Sequence, residues 1–128
     1  MKRTVLIVDD EDAAREGLAR VLRSRGHVVR TAADAETAIH LLATEPADIA
    51  VIDLGLPHVP GDAVASFLAI RSPKTRLIFV SGQYDMVDPE RFGASAIYMR
   101  KPVDIDALLE VLESPAAAAS APPALPMP

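Results

Sequence analysis

Three aspartates and one lysine stand where this chain could carry out chemistry. Asp9 and Asp10 directly follow one short apolar run, Asp53 directly follows another, and Lys101 comes just after a third. Two carboxylates about 4 Å apart repel each other by roughly 4 kcal/mol at an effective dielectric constant near 20. A cluster of three carboxylates at neutral pH therefore needs a cation, and clustered carboxylates with water are typical ligands of Mg²⁺.

The apolar runs themselves predict the elements that would bring these residues together. The runs begin near Thr4, Val28, Ile49, Leu77 and Ile97. Short apolar runs that alternate with helical periodicity are typical of an α/β fold with a parallel sheet covered on both faces. All strands of such a sheet end at the same edge, where ligands bind between them. We therefore predict that Asp9, Asp10, Asp53 and Lys101 meet at that edge.

The helical segments carry recognisable signals at their ends. Asp34 is a good N-cap residue in front of an amphipathic stretch, and a further amphipathic stretch starts at Asp104. Gly26 follows the first helical segment and can adopt the left-handed conformation that ends a helix. Within that segment, the spacing of Glu11 and Arg15 predicts an ion pair four residues apart.

Composition limits the classes of function. The chain has 128 residues, which suits one domain with a substantial core. Its net charge of −5 argues against direct nucleic-acid binding, because phosphate contacts need clustered Lys and Arg. The absence of Cys excludes thiolate chemistry and fits a reducing compartment. Since no apolar stretch approaches about 20 residues, we predict neither a signal peptide nor a membrane span, and a cytoplasmic location.

Four motifs in the same order resemble the receiver domain of bacterial two-component response regulators. They are Val8-Asp9-Asp10-Glu11, Asp53-Leu54-Gly55-Leu56-Pro57 with Gly61, Val80-Ser81-Gly82, and Gly93-Ala94-Ser95-Ala96-Ile97-Tyr98-Met99-Arg100-Lys101-Pro102. The match is collinear from about residue 2 to residue 114. The resemblance implies a flavodoxin-like fold, in which a doubly wound, five-stranded parallel sheet has the strand order 2-1-3-4-5.

The resemblance also implies a role for each acidic residue. Asp53 would accept a phosphoryl group, since a carboxylate oxygen can attack phosphorus in line. Asp10 and Asp53 would bind Mg²⁺ directly, and Asp9 mainly through water. The remaining protein ligand would be the backbone carbonyl of Gly55.

Three further residues gain roles from the same resemblance. Lys101 would pair with Asp53 and then with the phosphoryl oxygens, and Pro102 resembles the cis-proline that aims this lysine at the site. The hydroxyl of Ser81 would donate to a phosphoryl oxygen. Tyr98 would be the aromatic switch residue whose ring turns inward after phosphorylation.

These roles imply a signalling protein. A sensor histidine kinase or a histidine phosphotransfer protein would phosphorylate Asp53, and the added charge would shift a two-state surface. The output would pass to an unknown downstream protein or to a fused output domain. Such a protein catalyses only its own phosphorylation and dephosphorylation, and it is not an enzyme for an external substrate.

Two other functions are weighed against this one. A protein-interaction module could keep the fold without using phosphorylation, but the complete set of acids with Ser81 and Lys101 argues against it. A haloacid-dehalogenase-like phosphatase also has an aspartate nucleophile. That class needs a second acid two residues later, where this chain has Gly55.

Two segments depart from the alternating pattern. We expect residues 1–114 to form the receiver domain and the Ala/Pro-rich residues 115–128 to be a disordered tail or linker. Between the fourth and fifth strands, Asp88-Pro89 is a good helix start, but Gly93 ends that helix within about one turn. We therefore predict that the fourth of five helices is short or irregular and that residues 82–92 are mostly loop.

Overall fold

The computed structural model describes residues 2–56, 61–71, 74–82 and 96–114. Within these ranges the strands are β1 (Thr4–Val8), β2 (Val28–Ala32), β3 (Ile49–Asp53), β4 (Arg76–Ser81) and β5 (Ile97–Arg100). The helices are α1 (Asp12–Ser24), α2 (Ala35–Thr44), α3 (Gly61–Arg71) and α4 (Ile105–Glu113). Strand and helix alternate from β1 to β4, and α4 follows β5, as the apolar runs predict.

The sheet is parallel, and its strand order is β2-β1-β3-β4-β5. The predicted flavodoxin-like topology is therefore confirmed. In the register of the sheet, Val8 pairs with Ile52, so β1 and β3 end side by side. Asp53 pairs with Val80, and Ser81 pairs with Arg100. The ends of β1, β3, β4 and β5 consequently lie along one edge of the sheet.

Among the residues that the structure describes, two helices cover each face of the sheet. Helices α2 and α3 cover one face with Ala35, Ala38, Leu42, Val64 and Leu68, all buried. Helices α1 and α4 cover the other face with Ala19, Leu22, Leu108 and Leu112, which are also buried. Strand β3 has every residue buried, as expected for a central strand of a doubly wound sheet. This rigid core fixes the strand ends that carry the candidate site.

The predicted helix ends are present. The Asp34 side chain accepts a hydrogen bond from the backbone N–H of Thr37 at 2.7 Å, and Asp104 accepts from Ala107 at 3.1 Å. Both aspartates therefore cap helices, α2 and α4. The cap at Asp34 is as predicted, and Asp104 lies at the predicted helix start.

Helix α1 ends in a Schellman motif. Gly26 has a φ of 92°, its N–H donates to the carbonyl of Arg23, and the N–H of His27 donates to the carbonyl of Leu22. Glycine accepts this left-handed conformation without the steric cost that a side chain would bring. The motif turns the chain directly into β2.

A polar cluster joins the start of β1 to the end of α4. Arg3, which is buried, donates from Nε to the carbonyl of Leu112 at 3.0 Å and from Nη2 to that of Ser114 at 3.1 Å. The backbone N–H of Arg3 donates to Nδ1 of His27 at 3.1 Å. Because Nδ1 accepts this bond, the ring proton lies on Nε2. The Nε2 atom is 3.3 Å from Oε2 of Glu113. This cluster ties the last helix to the first strand.

Two predictions fall largely or wholly outside the described residues. The short or irregular helix predicted between the fourth and fifth strands falls on residues 83–95, and the predicted tail comprises residues 115–128. Among the residues that the structure describes, no helix is both long and apolar enough to cross a membrane.

Candidate functional site

The first half of the site is the corner between β1 and α1. The N–H of Asp9 donates to the carbonyl of Ala32 at 3.1 Å, which extends the pairing of β1 with β2 by one residue. The Asp9 side chain then turns back, and its Oδ1 accepts the N–H of Glu11 at 2.9 Å. Asp9 is thereby buried, whereas Asp10 is exposed beside it. The corner presents one fixed carboxylate and one accessible carboxylate.

The second half of the site is the end of β3. Asp53 is the last residue of this strand and is only 4% exposed. Its Oδ1 accepts the N–H of Gly55 at 2.9 Å, and the N–H of Leu54 donates to the carbonyl of Val80 at 2.9 Å. The turn after β3 is therefore held both by the neighbouring strand and by the Asp53 carboxylate.

The structure brings the three aspartates and the lysine together. Carboxylate oxygens of Asp9, Asp10 and Asp53 all lie within 4.8 Å of one another. The Nζ of Lys101 lies 3.1 Å from Oδ2 of Asp53 and 3.4 Å from Oδ2 of Asp9. Residues at the ends of three separate strands thus form one cluster at the carboxyl edge of the sheet.

Lys101 is aimed at this cluster by its own backbone. Its N–H donates to the carbonyl of Ser81 at 2.9 Å, so the chain stays paired with β4 for one residue after β5 ends. The peptide bond between Lys101 and Pro102 is cis, as the resemblance implies. The backbone of Lys101 is fixed at the sheet edge, and its side chain reaches across β4 to β3.

The site has an excess of negative charge. Burial raises the pKa of Asp9, and the nearby Asp53 carboxylate adds to this, while the N–H of Glu11 and the charge of Lys101 oppose it. Burial alone would lower the pKa of Lys101, but its hydrogen bond to Asp53 and the charges of both aspartates raise it overall. Lys101 therefore remains cationic at neutral pH, yet one ammonium group does not balance three carboxylates.

The donor set fits a hard divalent cation. Carboxylate oxygens that converge from two neighbouring strand ends are the ligands that Mg²⁺ prefers, and Asp10 is open to the water that this ion retains. Gly55, the predicted source of a carbonyl ligand, lies two residues beyond Asp53 in the turn after β3.

The two predicted switch residues lie on neighbouring strands. Ser81 ends β4 at the same edge as Asp53. Tyr98 lies within β5 and is 38% exposed, and its ring stacks on the buried ring of Phe79 with centroids 5.1 Å apart. Phe79 belongs to the core between the sheet and helices α2 and α3, so Tyr98 lies against that face of the sheet.

The sequence did not reveal the part played by Arg15. Its Nη1 donates to the backbone carbonyl of Asp9 at 2.9 Å. It also forms ion pairs with Asp12 at 2.7 Å and with Glu16 at 3.1 Å. The predicted ion pair between Glu11 and Arg15 is therefore wrong, because the arginine folds back toward the corner instead. Only the position of Arg15 in the first turns of α1, six residues after Asp9, could have suggested the contact.

Fold and site together define a class of protein, a flavodoxin-like domain with an acidic cluster and a lysine at the carboxyl edge of its sheet. A family model for the response regulator receiver domain matches residues 5–113. The chain therefore belongs to the response regulator receiver domain family, as its motifs predict.

Two curated relatives illustrate the similarity. The chain is 30% identical over 113 residues to the transcriptional regulatory protein PdtaR of Mycobacterium tuberculosis. The match covers 87% of this chain and 55% of the relative. It is 37% identical over 113 residues to the positive alginate biosynthesis regulatory protein of Pseudomonas aeruginosa, covering 85% of this chain and 45% of the relative. The chain thus spans about half the length of these two relatives.

Solved receiver domains have the same architecture. A CheY-like receiver domain protein from Methanospirillum hungatei superposes with a TM-score of 0.83 at 27% identity, covering 94% of this chain and 97% of that one. The receiver domain of NtrX from Brucella abortus superposes with a TM-score of 0.78 at 28% identity, covering 91% and 99% of the two chains. The similarity extends over nearly the whole of each solved domain.

Proposed function

We propose that this chain is a phosphorylatable receiver that takes a phosphoryl group onto Asp53 from a sensor histidine kinase or a histidine phosphotransfer protein. The observation that carries the proposal is the placement of a buried Asp53 carboxylate 3.1 Å from Nζ of Lys101, with two further carboxylates within 4.8 Å. A structural aspartate at a strand end needs none of this surrounding charge.

The transfer step follows from the position of Asp53. One carboxylate oxygen attacks phosphorus, the new O–P bond forms as the N–P bond to the donor's histidine breaks, and the electron pair returns to the imidazole. The Gly55 N–H and the Lys101 ammonium hold the carboxylate in one orientation before attack. Lys101 then pairs with a phosphoryl oxygen, so that its positive charge offsets the charge delivered.

Mg²⁺ would be held directly by Asp10, Asp53 and the backbone carbonyl of Gly55. Asp9 would hold the ion through water. When bound, the ion supplies positive charge close to the phosphoryl oxygens. The fixed orientation of Asp9 and the exposure of Asp10 support this division between water-mediated and direct contact.

Phosphorylation would be read out through Ser81 and Tyr98. The Ser81 hydroxyl would donate to the phosphoryl group from the end of β4, next to β3. Movement around Ser81 would be transmitted along β4 and β5 to Tyr98, whose ring stacks on Phe79 of β4. The surface around Tyr98 would then favour a downstream protein or a fused output domain.

Residues 1–114 would form the receiver, residues 115–128 would act as a tail or linker, and the protein would work in the cytoplasm without binding nucleic acid or membrane directly. The matched region makes up only 55% and 45% of the two relatives, which agrees with a receiver coupled to an output partner.

Labelling with acetyl phosphate and Mg²⁺ tests the proposal directly. The intact mass should rise by one phosphoryl group, and both EDTA and Asp53→Ala should abolish the gain. Asp106→Ala, which removes an exposed carboxylate on α4, is the matched control and should be labelled like the wild type. Labelling that survives in Asp53→Ala would overturn the assignment of Asp53 as the acceptor. A wild type that is never labelled would favour a phosphorylation-independent interaction module instead.

A further inference from the structure

Arg15 occupies an unusual position for a residue on a surface helix. Its side chain is only 12% exposed, because the guanidinium group folds under the start of α1 toward the carboxyl edge of the sheet. Three of its nitrogens are engaged, with the backbone carbonyl of Asp9, the carboxylate of Asp12 and the carboxylate of Glu16. This fork of planar donors is specific to arginine.

The hydrogen bond from Arg15 to the Asp9 carbonyl also restrains the backbone of Asp10. A peptide unit is planar, so the carbonyl oxygen of Asp9 and the N–H and Cα of Asp10 move together. Fixing that oxygen at 2.9 Å from Nη1 of Arg15 therefore fixes the backbone from which the Asp10 side chain projects. The other polar groups of Asp9 are held by Ala32, Glu11 and Lys101. The hydrogen bond from Arg15 extends this constraint to Asp10.

The two acidic partners of Arg15 hold it in place and offset its charge. Asp12 and Glu16 have side chains that are 85% and 52% exposed, so their pairing with Arg15 lies on the solvent side of the corner. A lone cation beside the acidic cluster would repel a divalent ion. With two carboxylates of its own, the guanidinium group is largely neutralised, and its hydrogen bond to the Asp9 carbonyl is the contact that reaches the site.

We infer that Arg15 is a positioning residue for the divalent-cation site, which it serves by fixing the peptide unit between Asp9 and Asp10. The inference rests on the proposed function, because it concerns the same cation that phosphorylation of Asp53 would require. Partners that orient metal ligands typically contribute about tenfold or more to metal affinity.

Mg²⁺ titration of the unphosphorylated protein tests this inference, because positioning and charge predict opposite changes in Mg²⁺ affinity when Arg15 is replaced. Arg15→Gln should weaken Mg²⁺ binding by about tenfold. A purely electrostatic role would give the opposite result, because loss of a positive charge near three carboxylates favours a cation. Arg20→Gln, which removes the same charge from an exposed position on α1, is the matched control and should change the affinity by less than about twofold.

A second variant and a metal-free measurement separate positioning from folding. Arg15→Lys keeps the charge but not the planar fork, so it should also weaken Mg²⁺ binding, and it remains informative if Arg15→Gln fails to fold. In EDTA, hydrogen exchange at the Glu11 amide, which bonds to Asp9, should accelerate in both Arg15 variants and not in Arg20→Gln.

Two results would overturn the inference. One is Mg²⁺ binding by Arg15→Gln and Arg15→Lys that equals or exceeds that of the wild type. The other is an equal loss of affinity in Arg20→Gln. In either case a wild type that still binds Mg²⁺ and is labelled on Asp53 leaves the proposed function intact. A wild type that does neither would overturn the proposed function and this inference with it.

Discussion

The Nζ of Lys101 lies 3.1 Å from Oδ2 of Asp53, although 48 residues separate the two in the chain. The two residues do not come from the same strand or from adjacent strands. Asp53 ends β3 and Lys101 follows β5, and β4 lies between these two strands. The contact therefore depends on the lysine side chain reaching over the end of β4. It joins the edge of the sheet to its centre at the point where phosphorylation is proposed.

Removal of Lys101 should destabilise the metal-free protein. Lys101→Met leaves the carboxylates of Asp53 and Asp9 without their cation, so the free energy of unfolding in EDTA should fall by about 1 kcal/mol, a value discounted for the partial exposure of the site. Mg²⁺ should recover most of that loss. Urea denaturation with and without Mg²⁺ measures both quantities.

Lys101→Arg is the control for this prediction, since it keeps the positive charge at the same place. It should lose less stability in EDTA than Lys101→Met. Equal stability of Lys101→Met and the wild type in EDTA would show that the ion pair with Asp53 contributes nothing to the fold.

Neutralising Asp10 should have opposite effects on stability and on metal binding. Asp10→Asn relieves repulsion within the acidic cluster, so the melting temperature in EDTA should rise by about 2 °C. The same change removes a carboxylate ligand, and Mg²⁺ affinity should fall by more than about tenfold. Thermal denaturation and Mg²⁺ titration test the two halves separately.

Asp106→Asn provides the comparison, because it removes an equal charge from an exposed site on α4. That variant should bind Mg²⁺ like the wild type. If Asp10→Asn keeps its Mg²⁺ affinity, the ion binds somewhere other than the cluster at the ends of β1 and β3.

The end of α4 should give a stability contribution that depends on pH. The hydrogen bond from Arg25, reinforced by His27, lowers the pKa of Glu113. A carboxyl group with a lowered folded-state pKa stabilises the protein at neutral pH, and this contribution is lost as the pH falls through that pKa. The wild type should therefore be more stable than Glu113→Gln near neutral pH, and the difference should shrink in acid.

Melting temperatures of both proteins, followed from about pH 7 to about pH 3, measure this difference, because the loss occurs below the ordinary pKa of a glutamate. Glu110→Gln, which removes the same charge one turn earlier on α4, is the control and should lose less stability than Glu113→Gln near neutral pH. A Glu113→Gln difference that stays constant across this pH range would mean that the pair with Arg25 is not coupled to the titration of Glu113.

The sequence was sufficient to predict the sheet and the meeting of its strand ends. Asp53 and Lys101 could be placed together because every strand of a parallel sheet ends at one edge, whatever the loops between them do. The cap at Asp34 and the helix start at Asp104 could also be predicted, since a helix end depends on residues only a few positions away.

Contacts that depend on side-chain direction could not be predicted in this way. Arg15 could reach Glu11 or Asp12 by helical spacing alone, and only the packing of α1 against the corner decides that it bonds to the Asp9 carbonyl. The pair of His27 with Glu113 spans 86 residues and depends on how α4 docks on the sheet. Neither His27 nor Glu113 has a local sequence pattern that indicates such a partner.

The bonds from Arg3 to the carbonyls of Leu112 and Ser114 mean that residues 3 and 114 lie within the length of one arginine side chain. A domain whose first strand and last helix meet at one point can be placed within a loop of a host protein with little strain on either connection. The same closeness would let a short peptide join residue 114 to residue 3. New termini could then be opened in another loop, giving a circular permutant with the same sheet.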